Sequence, residues 1–566
     1  MSLFEKHADK FNKALDACEK RYSWTAYTES PSSKIHGKEL PAAGAEKFKS
    51  LLGQDFSMDL PAQQAWVGNE ISPFTGEPLG IRYPEVNVAE TFAAATAAMD
   101  TWRLASVEER VGVCLEMLDR CGAPEALFVN AHATMHTAGQ SYIMAFAGCG
   151  ANALDRGLEA LVYAYKAMKD VPENARWERG FGGPEKAHLE KRYRLMPRGV
   201  GVVITCATFP QWNGYPAVMA SLATGNPVVI KPHPNGILPV ALCVNIFRDV
   251  LSKAGFNPDL VTMVADTRDE PVTMDLLKHP DTAIIDFTGS PQFGEWIEQN
   301  CRQALVYTET AGCNSVVIES TDNLEAMATG ISHSLCQASA QMCTSVQNIY
   351  IPKDGIRVKG EQVSFDSVKT AIIKGVEQHL ADKKKAATLC GALVNDAVKD
   401  EIASIREQAK ASPFARVVRD SAPYAHPDFP QARTATPLII EAEKDAKELY
   451  GDERFGPVSF LIRATSAEQA LELATEGVRE KGAITSHVYS TDEAFMCKAE
   501  EAYHRAGASV AFNLMGMPIN FAAAYSDYHV TGLTRAGNAC LTDLAFVADR
   551  FRIVQSKWPV NSVGPK

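Results

Sequence analysis

Residues 283–294 read Ala-Ile-Ile-Asp-Phe-Thr-Gly-Ser-Pro-Gln-Phe-Gly. A short apolar run passes through Thr288-Gly289-Ser290 into a helical stretch, with Gly294 four positions beyond Ser290. Similar runs recur at Val200–Thr205 (VGVVIT), at Pro227–Lys231 (PVVIK) after the turn Gly225-Asn226, and at Leu260–Val264. Helical patterns at Leu238–Ala254 and Val272–Lys278 lie between them. Strands that are apolar throughout, alternating with helices, predict a parallel sheet covered on both faces. After Gly312 the pattern repeats. Ser315–Ile318 reads as a strand, Asn323–Ala340 as a helix and Gln347–Ile351 as a strand, with more of both to about Asn513. The fold class is therefore α/β, with two parallel-sheet units.

The rest of the chain frames these units. Residues 1–65 read as a helical appendage, with helices over Leu3–Tyr22 and Ala42–Leu52, suited to packing or oligomer contact. Ser72–Pro78 is a turn between two strands, and Val88–Arg103 is a helix. Ser106-Val107-Glu108-Glu109 is a capping box, and helices continue to about Met168. The chain has 566 residues, 46% hydrophobic and 22% charged, with a net charge of −12. That balance argues against a nucleic-acid binder. The 13 cysteines are scattered, with no CxxC and no Cys/His cluster at zinc spacing, so no metal site is expected. The N-terminus lacks the apolar core of a secretory signal and no run of 18 apolar residues occurs. A cytoplasmic protein without a membrane span is the expectation.

Several side chains can carry chemistry. Gly289 and Ser290 sit where a strand enters a helix, a place suited to an anion because helix N-terminal amides point outward. A tight turn explains them equally well. Lys231 ends its strand at the carboxyl edge, where ligands of open α/β sheets bind; a snorkelling surface lysine is the plainer reading. Glu309 follows the strand-like Leu305-Val306-Tyr307 and could serve as a base. Cys343, in Gln341-Met342-Cys343-Thr344, could serve as a nucleophile. Taken alone, Glu309 reads more readily as a solvated loop carboxylate and Cys343 as a buried inert thiol. Glu453-Arg454-Phe455-Gly456-Pro457-Val458 alone is a loop.

In order, these segments resemble the NAD(P)-dependent aldehyde dehydrogenase superfamily: Leu222-Ala223-Thr224-Gly225-Asn226, Val229-Ile230-Lys231-Pro232, Phe287-Thr288-Gly289-Ser290, Glu309, Gln341-Met342-Cys343, and Glu453 to Val458. The interval from Glu309 to Cys343 is also the family's usual one. The resemblance runs from about residue 70 to 550. Within the superfamily the chain is most similar to the phenylacetic acid degradation PaaN-type branch, on Thr208-Phe209-Pro210-Gln211-Trp212-Asn213, Ala133–Gln140 and the length of the appendage. The resemblance implies residues 66–310 as a Rossmann-like cofactor-binding domain with a β-arm near 179–198. It implies 311–512 as the catalytic domain and 513–566 as a return segment and C-terminal bridging tail, in a homodimer or homotetramer. By position it makes Cys343 the nucleophile and Glu309 the general base. Lys231 would bind the adenosine ribose, Gly289 and Ser290 the pyrophosphate and Glu453 the nicotinamide ribose, with Phe455 beside the nicotinamide. The substrate it suggests is a semialdehyde of aromatic-acid catabolism, with a CoA thioester as one form. Arm residues Lys186, Lys191, Arg192, Arg194 and Arg198 could attract CoA phosphates, although a solvated arm strand explains them better.

Three departures qualify the resemblance. Thr208 stands where most members have the asparagine that helps bind the oxyanion. Ala340 stands where a glycine commonly precedes the glutamine. Lys231-Pro232-His233-Pro234 lacks the carboxylate that NAD-preferring members often carry three residues after the lysine. That absence tilts the coenzyme towards NADP, with Lys231 or His233 pairing with its 2′-phosphate, and leaves NAD as the alternative. Two rival functions remain: a CoA-acylating dehydrogenase, and a catalytically weak member acting as a binding or scaffold subunit, for which Thr208 is the support.

Overall fold

A computed structural model describes residues 1–310, 312–529 and 543–565. Ala311, Lys566 and residues 530–542, part of the expected return segment, lie outside the described residues. The first sheet contains β1 (Val200–Ile204), β2 (Val228–Lys231), β3 (Val261–Met263), β4 (Thr282–Thr288) and β5 (Leu305–Glu309). Its order is β3-β2-β1-β4-β5 and every pairing is parallel. β1, β2 and β3 are buried along their whole length, as their unbroken apolar runs require. The chain winds outward from β1 to β3, then returns to β4 on the other side. Such a reversal opens a crevice at the carboxyl ends of the strands.

The second sheet contains β6 (Ser315–Ile318), β7 (Asn348–Pro352), β8 (Ala415–Arg419), β9 (Leu438–Glu443), β10 (Val458–Ala464), β11 (Ser486–Tyr489) and β12 (Ala511–Phe512). Its order is β8-β9-β10-β7-β6-β11-β12, parallel except between β8 and β9. The helix expected over Asn323–Ala340 spans Leu324–Cys336. Ala338, Ser339 and Ala340 then take left-handed φ values of 52°, 52° and 50°. Helix-favouring alanines carried the pattern past the true end, because tertiary bonds override propensity here. Ser339 Oγ donates to the Cys390 carbonyl at 3.0 Å. Gln341 Nε2 donates to Ala338 O (3.2 Å) and Ala392 O (3.0 Å), and its Oε1 accepts from Val394 N (2.9 Å). A left-handed turn of non-glycine residues costs about 1–2 kcal/mol per residue, and these bonds hold it.

The arm consists of strands Asn174–Gly180 and Lys186–Pro197, joined by the C-terminal strand Phe551–Pro559. Ser106 and Glu109 form the expected capping box, at 3.1 and 2.8 Å. The appendage is fastened to the return segment through Asp155. That carboxylate accepts from Thr25 Oγ1 (2.6 Å), Ala26 N (2.9 Å) and Tyr525 OH (2.8 Å). Arg21 lies 3.9 Å over the Tyr528 ring.

Near the C-terminus, fully buried Arg550 donates to both oxygens of Asp286 in β4, at 2.8 and 2.5 Å, and to Ser221 Oγ at 2.8 Å. Its carbonyl accepts from Asn226 Nδ2 at 2.9 Å. Removing one partner of such a pair leaves a buried charge uncompensated. Arg550→Met should therefore lower unfolding stability by about 3–5 kcal/mol. The double variant with Asp286→Leu should recover most of that loss in a denaturant titration.

Candidate active site

A cavity of about 1320 Å³ lies where the carboxyl edge of the first sheet faces the second. Pockets for a single ligand usually span about 300–1,000 Å³, so there is room for two ligands side by side. Its walls include Lys231, Thr208, Glu309, Cys343, Glu453 and Phe455. The first sheet contributes the ends of its strands, with Lys231 closing β2 and Glu309 closing β5. The second contributes the loops that enter its strands: Gly312 before β6, Cys343 before β7 and Glu453 before β10.

Glu309 is 2% exposed, and its Oε2 accepts from Thr288 Oγ1 at 3.4 Å. It is not the solvated loop carboxylate of the plainer reading. Cys343 follows the left-handed turn and is partly exposed, unlike most cysteines among the described residues. The structure also brings in His529, which sequence reasoning missed. Its Nε2 lies 2.8 Å from Glu309 Oε1 and 3.5 Å from Cys343 Sγ. The signal available was one histidine in the loop Tyr525-Ser526-Asp527-Tyr528-His529, which has no periodicity to place it. Among the described residues, Glu309, Cys343 and His529 form a group whose donor atoms all lie within 4.8 Å of one another, close enough to share an ion. Hydrogen-bond contacts through Nε2 already join them.

Asn314 holds the loop that carries Cys343. Its Nδ2 donates to Cys343 O (2.7 Å) and Ser345 O (2.9 Å), and its Oδ1 accepts from Ile484 N (2.9 Å) and Thr485 N (3.0 Å). Gly312 makes the crossing between the sheets possible. Its φ is +126°, and a Cβ there would stand 2.3 Å from the Gly482 carbonyl oxygen.

Thr208 is buried on the cavity wall, and its carbonyl accepts from Gln140 Nε2 at 3.1 Å. The 133–140 segment is thereby a brace for the stretch that carries Thr208. Asn213 lines the same wall, and its buried Oδ1 has no hydrogen-bond partner among the described residues. A π-helical turn, Ala147–Asn152, borders the cavity; such turns are frequent at functional sites.

Lys231 is not a snorkelling surface lysine. It is buried, with Nζ 2.6 Å from Asp266 Oδ1 and 2.8 Å from the Pro232 carbonyl. Burial pulls its pKa below the usual lysine value, against the raising effect of Asp266. His233 corrects the expectation of a second cation. Burial, with Lys231 and Arg268 nearby, pulls it down to about 3, so the neutral imidazole is favoured. Asp266, just after β3, thus places a buried carboxylate beside Lys231 from outside the segment that follows it.

Ser290 caps helix Pro291–Asn300 without a side-chain cap bond, and both it and Gly289 line the cavity. A Cβ on Gly289 would meet the Phe287 ring at 2.6 Å. Glu453 is pushed up to about 7 by burial, and its Oε1 accepts from Gly312 N at 3.4 Å. Phe455 is 36% exposed at the rim. The arm cations are not among the cavity's lining residues. Arg192 donates to the Pro565 carbonyl (2.9 Å), Arg198 pairs with Asp549 (2.6 Å), Lys186 bonds Glu178 and Lys191 lies over Trp177.

Residues 63–515, most of the chain, match the Aldehyde dehydrogenase family. This chain belongs to the aldehyde dehydrogenase family. It is similar to an NAD-dependent aldehyde dehydrogenase from Burkholderia multivorans, 44% identical, with a TM-score of 0.94 and 100% of each chain covered. A Thermus 1-pyrroline-5-carboxylate dehydrogenase with bound NAD shares the fold at 18% identity, TM-score 0.72, covering 95% of this chain and 99% of that one. A Geobacillus thermodenitrificans 1-pyrroline-5-carboxylate dehydrogenase is 26% identical over 322 residues, 55% of this chain and 58% of the relative. This aldehyde dehydrogenase family member thus aligns with a little under three fifths of that relative's length.

Replacing Asn314 tests the support of the Cys343 loop. Asn314→Ala leaves two buried amides and two carbonyls short of a partner, and each unsatisfied group costs about 1–3 kcal/mol. Stability should fall measurably, and displacement of Cys343 by about 1 Å should reduce turnover by about 10²-fold. Asn314→Asp should rescue little of the turnover, because a carboxylate cannot donate to the Cys343 carbonyl.

Proposed function

We propose that this protein oxidises an aldehyde to a carboxylic acid through a thioester on Cys343, with a nicotinamide dinucleotide as hydride acceptor. The observation that supports it is the approach of Cys343 and Glu309 to one histidine nitrogen, at the wall of a cavity that also contains the Lys231–Asp266 pair. That pair is buried, charged and aimed at a void large enough for a second ligand, which fits a ribose held by its hydroxyls. Lys231, Asp266, Gly289, Ser290, Glu453 and Phe455 would hold the dinucleotide. When bound, it supplies the acceptor for the hydride, which no side chain can replace.

The chain's own residues do the rest. Cys343 adds to the carbonyl carbon as a thiolate. The oxyanion takes hydrogen bonds from the Cys343 amide and the Thr208 hydroxyl. Once the thioester has formed, Glu309 removes a proton from a water, whose oxygen attacks the carbonyl and releases the acid. Glu309, buried beside the thiol, favours hydrolysis over transfer to CoA, where no such base is needed. The wall of Ile143, Met144, Phe209, Trp212 and Phe521 is apolar and aromatic. It suits an aldehyde with a hydrophobic body, and a semialdehyde of aromatic-acid catabolism meets that description. The positions of the arm cations lend a CoA thioester no support.

Asp266 reverses the tilt towards NADP. A buried carboxylate beside Lys231 accepts from a ribose hydroxyl and repels a 2′-phosphate, and the 44%-identical Burkholderia multivorans relative is an NAD-dependent aldehyde dehydrogenase. Arg268, exposed at the same rim, is the group that an NADP preference would point to.

An aldehyde panel assayed with both coenzymes tests the reading. Aromatic and long-chain aldehydes should give free acid, and Cys343→Ala should abolish reduced coenzyme formation. Acyl-CoA as the product, or an active Cys343→Ala variant, would overturn it. The kcat/KM with NAD should exceed that with NADP by about 10-fold or more, a difference of about 1.4 kcal/mol. Asp266→Asn should narrow the ratio, whereas wild-type preference for NADP would contradict the role given to Asp266.

A further inference from the structure

His529 is the member of the reaction centre to which neither the motifs nor the family resemblance gives a task. Its side chain is fully buried. A single nitrogen, Nε2, faces both partners, Glu309 Oε1 at 2.8 Å and Cys343 Sγ at 3.5 Å. A carboxylate oxygen only accepts hydrogen bonds, and so does a thiolate. Gathering both around one nitrogen is favourable when that nitrogen carries the proton, since Nε2–H can then donate to the oxygen while lying against the sulfur.

The ring is also held in place. Trp212 packs against it edge-on at 5.9 Å between centroids, and the Arg156 guanidinium lies 5.4 Å from the Trp212 ring. Arg156 donates to the Asp527 carbonyl (3.0 Å) and the Ala522 carbonyl (3.3 Å), pinning the segment just ahead of His529. Among the described residues, the charged and titratable groups around the imidazole include Glu309 from β5, Cys343 from its loop and, behind Trp212, the buried Arg156–Glu159 pair at 2.8 Å. Glu453 stands near Glu309, whose charge adds to burial in raising the Glu453 pKa.

We propose that His529 is a catalytic residue: it takes the proton of the Cys343 thiol on Nε2 and holds the sulfur as a thiolate, sharing that N–H with Glu309. The S–H bond breaks, its electron pair stays on sulfur and its proton forms the imidazolium. The thiolate then makes the S–C bond to the aldehyde, and the π pair of the carbonyl moves onto oxygen. In hydrolysis the attacking water gives its proton to Glu309, the C–S bond breaks and the departing thiolate finds the imidazolium waiting. Glu309 thus has two tasks, orienting the charged imidazole and activating water. This inference rests on the reading of Cys343 as nucleophile and Glu309 as base.

The test is the rate of iodoacetamide alkylation of Cys343 in the full-length protein between pH 5 and 9, read on the Cys343 peptide by mass spectrometry. Reading the peptide separates Cys343 from Cys206 and Cys497, which are also not buried. In the wild type the reaction should stay fast well below the ordinary thiol range of about 8.5. In His529→Gln the rate at pH 6–7 should fall by about 10-fold or more, with the inflection moving up towards that range. Glu309→Gln should shift it the same way, by less. Thermal unfolding of each variant shows whether it is folded, and His529→Asn substitutes if His529→Gln is not. Identical alkylation profiles in wild type and folded His529 variants would overturn the role of His529, and an inactive Cys343→Ala variant would then leave the parent reading standing. An active Cys343→Ala variant would remove both.

Discussion

Every part of the proposed chemistry depends on the clamp made by the Asn314 side chain. Its amide uses two donors and two acceptor positions, binding the backbone of Cys343 and Ser345 on one side and of Ile484 and Thr485 on the other. A fully satisfied buried amide is rigid because breaking any one bond leaves a polar group without a partner. The clamp fixes the loop that carries Cys343 to the entering edge of the second sheet. The first sheet presents Glu309 at its leaving edge, and the narrow passage at Gly312 brings the two edges together. In open α/β sheets ligands gather at the carboxyl ends of strands. Here the rule holds for one sheet and is reversed for the other, and the cavity is the space between the two opposed edges.

A second line of support runs from the far end of the chain. The N-terminal appendage binds Asp155 through Thr25 and Ala26, and Asp155 in turn binds Tyr525. Arg21 covers Tyr528, the neighbour of His529. Burial pushes Asp155 up to about 6, so these bonds offset a real desolvation cost. The appendage therefore acts as a splint for the segment that closes the reaction centre, which gives residues 1–65 a structural reason beyond packing.

Much of this was legible in the sequence. Four strands of the first sheet lie in apolar runs at Val200–Thr205, Pro227–Lys231, Leu260–Val264 and Ala283–Phe287, and burial of such runs leaves little else that they can form. The capping box at Ser106 is local chemistry and needs no tertiary knowledge. Glu309 and Cys343 were singled out through their order among other segments, not through periodicity, and the fold brings both to the cavity wall. What escaped the sequence was set by contacts between distant parts. Ala338 to Ala340 favour helix by propensity, and bonds to Cys390, Ala392 and Val394 turn them left-handed. Lys231 looked solvated because its partner Asp266 arrives from the loop after another strand. His529 sits in a loop with no pattern, and only the fold shows what its Nε2 faces.

The central claim is that Cys343 carries the acyl group between oxidation and hydrolysis. Its most direct test is peptide mass analysis of Glu309→Gln after mixing with an oxidisable aldehyde and NAD. With the water-activating base removed, the account predicts an acyl adduct on the Cys343 peptide, formed together with one equivalent of NADH and released by hydroxylamine. Sustained turnover in that variant with no adduct on Cys343 would contradict it.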